Sequence, residues 1–403
     1  MVATGCSSSG SDGGDAPQAS STASDATLLG PVSAAKGAPV KVGLITDGKS
    51  AIADTSIETA VADATAKYLN EHKAGIGGRP IQLDKCLTNN DPSKAVDCAN
   101  QLIKDKVAAV LVGSSAVGDT VWSPLHTAKI PTMYLGSTSP ATLTDAQSTF
   151  VLSDPLGALT GSIRVAQKAG VKTVTAVVID VPAAVSGFQS PDLLATFKKA
   201  DIELKLVAVP PGTADMTPQL RSLAGSKAGV VEVVGNDTFC ISAFNGLRAV
   251  NFTGPLTAIS ACLSDATRKA VPGDVLKRVA VSAYTPIDND NPSTRFFGAV
   301  ARAYGNDIDT ENATGMNTFM LLNTFQAAVG GITGDITPAT VIKTIKSAPE
   351  KEMPGSAGQK FRCNGKAFPN TPAVCVRGSL FANLNEKGKP ASYLVTGASP
   401  IES

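Results

Sequence analysis

The chain has 403 residues, 43% of them hydrophobic and 17% charged, with 35 basic against 34 acidic residues and a net charge of +1. That length can build two or three cored domains, and the charge balance gives no footprint for nucleic acid or for an anionic membrane surface. No apolar run reaches the roughly 18 residues that a membrane-spanning helix needs.

The first residues read "VATGC" (2–6), followed by "SSSGSDGGDAPQAS". Between 7 and 38 only Leu28, Leu29 and Val32 are large and apolar, too few to offset the entropy of ordering the segment. Residues 1–38 are therefore expected to be a disordered tether.

The folded body begins at "PVKVGLIT" (39–46), a continuous apolar run of strand type. Thr55 with Glu58 three residues on has the spacing of a capping box, and Ile57, Val61, Ala64 and Tyr68 keep helical period. "RPIQLDKC" (79–86) is the next strand. Asp91-Pro92 opens a helix, with Asp as N-cap and Pro in the first turn. "VAAVLVG" (107–113) and "IPTMYLG" (130–136) are further strands, separated by a helix to about residue 129. After a break at Asp154-Pro155 the alternation restarts. Helices at 157–169, 190–199, 216–224 and 238–249 interleave with strands at 173–180, 203–209, 229–235 and 254–260. "RVAVSAYTP" (278–286) reads as a crossing, and helices near 292–304, 314–330 and 337–347 return to the first half. Continuous apolar strands alternating with amphipathic helices predict parallel α/β layers covered on both faces.

Catalytic signatures are not visible. The two histidines, His72 and His126, lie apart in sequence and outside any metal-ligand spacing. "GSSAVG" (113–118) has Val117 where a nucleophile elbow needs Ser-x-Gly spacing, and "TDGKS" (46–50) fits neither phosphate-binding glycine motif. The expectation is a binding protein with no enzyme activity, cofactor or metal. What recurs is small hydroxyl residues at strand carboxyl ends, the edge where open α/β sheets take ligands. Ser114 and Ser115 follow one strand, and Ser137 and Thr138 follow the next. Exposed N–H groups and hydroxyls there suit a carboxylate; helix capping is the ordinary alternative. Asp180, Asn236, Asp237 and Ser260 sit at the corresponding ends in the second half. Trp122, Phe188, Phe239 and Tyr284 are candidate apolar walls.

Seven cysteines occur. Setting Cys6 aside, Cys86 and Cys98, Cys240 and Cys262, and Cys363 and Cys375 form three local pairs 12, 22 and 12 residues apart. Sequence leaves connectivity open. Nearest-neighbour pairing is favoured because each pair lies within one strand–helix or loop unit, and three disulfides would place the chain in an oxidising compartment. Six buried free thiols are the alternative.

"VKVGLITDG", "YLNEHKAGIGGRPIQLDKC…NDPSKAVDCANQLIKDKVAAVLVGSS" and "IPTMYLGSTSPATLT" together resemble the type I solute-binding proteins of bacterial ABC importers, in the branched-chain amino acid-binding family. The resemblance runs over about 40–395. It implies an α/β periplasmic-binding-protein-like type I fold, with two Rossmann-like lobes joined by a three-crossing hinge. The lobes expected are 39–155 plus 287–370, and 156–286 plus 371–403. It implies that a small-molecule ligand is held at Ser114 or Ser115 and at Gly136, Ser137 and Thr138. The family's second-lobe tyrosines fall at Val185 or Ser186 and at Asn236, and its acidic partner for the ligand ammonium falls at Ser260. Asp180 or Asp237 is then the replacement charge; otherwise the ligand lacks an ammonium. Tyr284 completes the expected set.

"ATGC" (3–6) likewise resembles the lipobox of bacterial lipoproteins, which implies a lipid on Cys6. The charged and apolar parts of such a leader are missing or truncated ahead of it. The resemblance implies a monomer tethered outside the cell membrane that serves an ABC permease. A ligand sensor of the same fold feeding a signalling receptor is the alternative.

Overall fold

The computed structural model describes residues 20–49, 54–225, 229–286, 291–397 and 400–403. Five strands build the first sheet: β1 (Val40–Thr46), β2 (Ile81–Leu87), β3 (Ala109–Val112), β4 (Thr132–Tyr134) and β5 (Thr149–Val151). All pair in parallel in the order β2-β1-β3-β4-β5. Every residue of β3 is buried, as a parallel strand covered on both faces must be. The chain then crosses and builds β6 (Thr173–Ile179), β7 (Glu203–Val209), β8 (Val230–Val234), β9 (Leu256–Ala258) and β10 (Val279–Ala283). After a return to the first lobe through helices Pro292–Tyr304, Ala313–Val329 and Pro338–Ser347, a small hairpin follows, β11 (Lys351–Glu352) with β12 (Lys360–Phe361). The last crossing delivers β13 (Leu380–Leu384) and β14 (Pro390–Val395) to the second sheet, whose order is β14-β13-β10-β9-β8-β6-β7. The two C-terminal strands are antiparallel. The fold is thus two parallel-sheet α/β lobes.

The helices start and stop where their sequence dictates. Asp91 caps helix Pro92–Lys104, accepting the N–H groups of Ser93 and Lys94, with Pro92 in the first turn. Helix Ala313–Val329 is buried on nearly every side and forms the centre of the first lobe. Its Phe319 and Phe325 join Phe297, Leu44 and Leu69 in one core. Each such side chain contributes about 1.5–3 kcal/mol on burial. The second lobe has cores on both faces of its sheet, around Phe244 and Phe252 on one side and Phe197 on the other.

Two expectations change. The capping box at Thr55 does not form: helix Ile57–His72 begins after Ser56, whose side chain does not cap it. Glu58 instead points into the protein. The segment 7–38 was expected to be disordered throughout, but Ser20–Leu29 is a helix and the stretch after it lies along the first lobe. Leu29 joins the core, Asp25 forms a bidentate pair with Arg302, and Ser33, Ala35 and Lys36 donate backbone N–H groups to Glu71, Asn70 and Gly78. Backbone hydrogen bonds and one buried leucine hold what the side-chain composition alone would not. Residues 1–19, Cys6 among them, lie outside the described residues.

All three local cysteine pairs are disulfides: Cys86–Cys98, Cys240–Cys262 and Cys363–Cys375. Among the described residues no helix is long and apolar enough to cross a membrane.

Candidate functional site

The carboxyl ends of the parallel strands in the two sheets face one another across a cleft of about 760 Å³, within the usual span of small-molecule sites, about 300–1,000 Å³. The turn after β3 brings Ser114 and Ser115 to it, and the turn after β4 brings Gly136, Ser137 and Thr138. Ser260, after β9, and Tyr284, after β10, line it from the other side. Asn236, Asp237 and Asp180 are not brought there. Asn236 is the N-cap of helix Asp237–Ala249, its side chain turned back to accept the Phe239 N–H at 3.0 Å. Asp237 accepts the Thr238 N–H and the Ser264 hydroxyl. Asp180 is exposed at the end of β6 and does not line the cleft. Ser186 lies in helix Pro182–Phe188, and its side chain is outside the described residues. Of the candidate walls only Tyr284 serves. Trp122 stacks on His126 and donates to Thr149, while Phe188 and Phe239 are core.

The turn after β3 is organised from behind by acidic side chains. Glu58 is fully buried. Its Oε1 accepts the Ser114 N–H at 2.9 Å and the Thr318 hydroxyl at 3.0 Å, and its Oε2 accepts the Thr46 hydroxyl. Burial outweighs these donors and raises its pKa above the usual carboxylate range. Gly113 permits the approach, since a Cβ there would sit 2.4 Å from Glu58 Oε1. Asp47, at the end of β1, accepts the Ala116 N–H at 2.8 Å and the Thr88 hydroxyl at 2.5 Å. The Ser114 N–H expected to greet a ligand is therefore already bonded. The Ser115 and Ser137 hydroxyls accept the N–H groups two residues on, at 3.3 and 3.1 Å, local turn bonds that fix the loops presenting them.

Sequence reasoning missed the cleft's charged groups. Asp154 lies where the chain leaves the first lobe, and its carboxylate ties that crossing to the last one. Oδ1 accepts the Leu156 N–H and Oδ2 the Gly378 N–H, both at 2.9 Å. Burial, only partly offset by its backbone donors, pushes its pKa up to about 6. Asp119 also lines the cleft, as does Arg268, whose guanidinium is engaged by Asp265 at 2.9 Å and by the Gly388 carbonyl at 3.2 Å. Asn317 accepts the Thr285 hydroxyl and Gln359 donates to the Tyr284 carbonyl, so side chains of the first lobe hold the middle crossing.

Solved structures share this architecture. An extracellular ligand-binding receptor from Verminephrobacter eiseniae is 17% identical, with a TM-score of 0.63 over 88% of this chain and 100% of that one. The substrate-binding protein LivJ of the branched-chain amino acid transporter from Streptococcus pneumoniae, solved with isoleucine, is 14% identical, with a TM-score of 0.59 over 89% of this chain and 99% of that one. An ABC transporter solute-binding protein from R. palustris, solved with 4-hydroxybenzoate, is 16% identical, with a TM-score of 0.61 over 89% of this chain and 98% of that one. At such identities the likeness is one of fold. No curated protein sequence matches. Residues 39–379 match the family described as periplasmic binding protein. With two parallel-sheet lobes facing across a cleft and a family match over most of its length, the chain belongs to the periplasmic binding protein family.

Proposed function

We propose that this protein captures a small polar solute in the interlobe cleft and delivers it, unchanged, to the permease of an ABC importer. The observation that carries this reading is the cleft itself, walled by both lobes and crossed by the chain at its base. The division expected at 370 moves: Ala373, Val374, Cys375 and Val376 pack into the first-lobe cores, as does Ile401, and Cys375 is bridged to Cys363. The two lobes, divided at the last crossing just before Leu380, would close as rigid units about those crossings, and the closed form would dock on the transporter. The protein is read as an extracytoplasmic monomer without catalytic activity, held to the membrane by a lipid on Cys6, with the tether raising its local concentration at the permease. The ligand class is amino acid-like, a carboxylate or an amide. A ligand ammonium would be partnered by Asp154, the carboxylate that replaces the acid missing at Ser260.

A thermal-shift screen over amino acids, amides, amines and small carboxylates tests the reading. A ligand present at a hundred times its Kd adds about 2.7 kcal/mol, a rise of roughly 5–10 °C for lobes of this size. If no compound of any class shifts the transition, solute capture is wrong. For an amine-bearing ligand the affinity should fall as pH drops below about 6, because protonated Asp154 no longer offers a negative partner.

A further inference from the structure

The cleft does not end at the strand-end hydroxyls of the first lobe. It continues into the second lobe as a side channel over the edge strands. Val281 pairs with Ala382 and Ala382 with Tyr393, across β10, β13 and β14. Residues paired in this way share a face of the sheet, and all three line the cavity, together with Ile259 and Leu263 from the segment at the end of β9. The short side chain of Ala382, between Val281 and Tyr393, gives the row its depth. Because β13 runs antiparallel to β10, its Leu384 end lies away from the interlobe edge. Arg268 lines the cavity there. Its Nε donates to the carbonyl of Gly388, in the turn between β13 and β14, at 3.2 Å, and its Nη1 donates to Asp265 at 2.9 Å. Nη2 has no protein partner among the described residues. The Asp265 side chain is 85% exposed against 26% for Arg268, a pairing of the kind worth little. The guanidinium is therefore held in place with donor capacity left for an anion. The whole cavity, about 760 Å³, lies in the upper half of the range of small-molecule sites, about 300–1,000 Å³.

Resting on the reading of the cleft as a solute site, we infer that its ligand is two-ended. A polar head sits at the strand-end hydroxyls of the first lobe, an apolar body lies along Val281, Ala382 and Tyr393, and a second, anionic group reaches the Arg268 guanidinium. The channel selects for length and the guanidinium for charge.

The test uses matched pairs of amino acids, carboxylates and primary amides of increasing chain length, each with and without a carboxylate at the far end. Binding to the purified protein is followed by thermal shift and calorimetry at neutral pH. At a favoured chain length the member with the terminal carboxylate should bind about tenfold or more tighter than its partner, and Arg268→Gln should abolish that preference. No preference at any length, or one that survives Arg268→Gln, would overturn the inference while leaving solute capture intact. Binding by no compound, in these pairs or in the wider screen, would remove both. Should Arg268→Gln fail to fold, Ala382→Leu takes its place. By narrowing the channel it should weaken the long, doubly charged compounds about tenfold, and undiminished binding would overturn the inference. If neither variant folds, the wild-type comparison decides alone.

Discussion

Replacing Glu232 by Gln should stabilise the protein, and the gain should grow with pH. Glu232 sits mid-strand in β8, wholly enclosed, beneath helix Gly157–Ala169. The Ser162 hydroxyl donates to its Oε2 at 2.8 Å, but Oε1 has no partner among the described residues. Thr257, its register neighbour on β9, also has a buried hydroxyl without a partner there. Burial pushes the Glu232 carboxyl from 4.5 up to about 8, with only Ser162 pulling it back. The folded state therefore holds this proton more tightly than the unfolded chain does. Stability falls as pH rises through that window, the penalty is complete above about 8, and it vanishes below about 4.5. At about 1.4 kcal/mol per pKa unit the full penalty is roughly 5 kcal/mol. Gln keeps an oxygen for Ser162 and never ionises. Denaturant melts at pH 5, 7 and 9 should show the variant gaining steadily over wild type, and a gain independent of pH would refute the assignment.

Reducing the disulfides should cost more than any single substitution. Each bridge closes a loop of 12 or 22 residues, which in the chain-entropy account is worth roughly 3 kcal/mol apiece. Two of them, Cys86–Cys98 and Cys363–Cys375, belong to the first lobe and pack into its cores. Their loss together approaches the whole stability of a typical domain, about 5–15 kcal/mol. Reduction should therefore lower the melting temperature by about 10 °C or more. Thiol titration of the denatured, unreduced chain should find no free thiol where Cys6 carries its lipid and one, on Cys6, where it does not. Seven would mean that the bridges do not form and would remove the argument for an oxidising compartment.

The parts of the fold that showed in the sequence are those where burial dictates composition. Strands such as "AVLV" and "VVEVV" are buried along their whole length and, Glu232 apart, are apolar, so their order revealed the layered α/β plan. The local cysteine pairs were equally legible. β5, β13 and β14 were not: β5 is three residues long, and the C-terminal pair alternates small, polar and apolar residues at a sheet edge. In the site, the strand-end hydroxyls of the first lobe were found because a short turn leaves them nowhere else to go. Asn236 and Asp237 misled because a polar residue at a strand end serves helix capping as readily as ligand binding, and capping won. Glu58 was read as a capping residue from its spacing to Thr55. Only the fold brings Thr46, Ser114 and Thr318 around it, from three elements far apart in sequence. Asp154 escaped because its role depends on Gly378, more than two hundred residues away.

Solution X-ray scattering, titrated with a compound that the thermal-shift screen selects, tests the central claim most directly. The account predicts a saturable fall in the radius of gyration as the two lobes close on the ligand, at the concentrations that saturate binding. A radius unchanged at full occupancy would contradict capture by closure of this cleft.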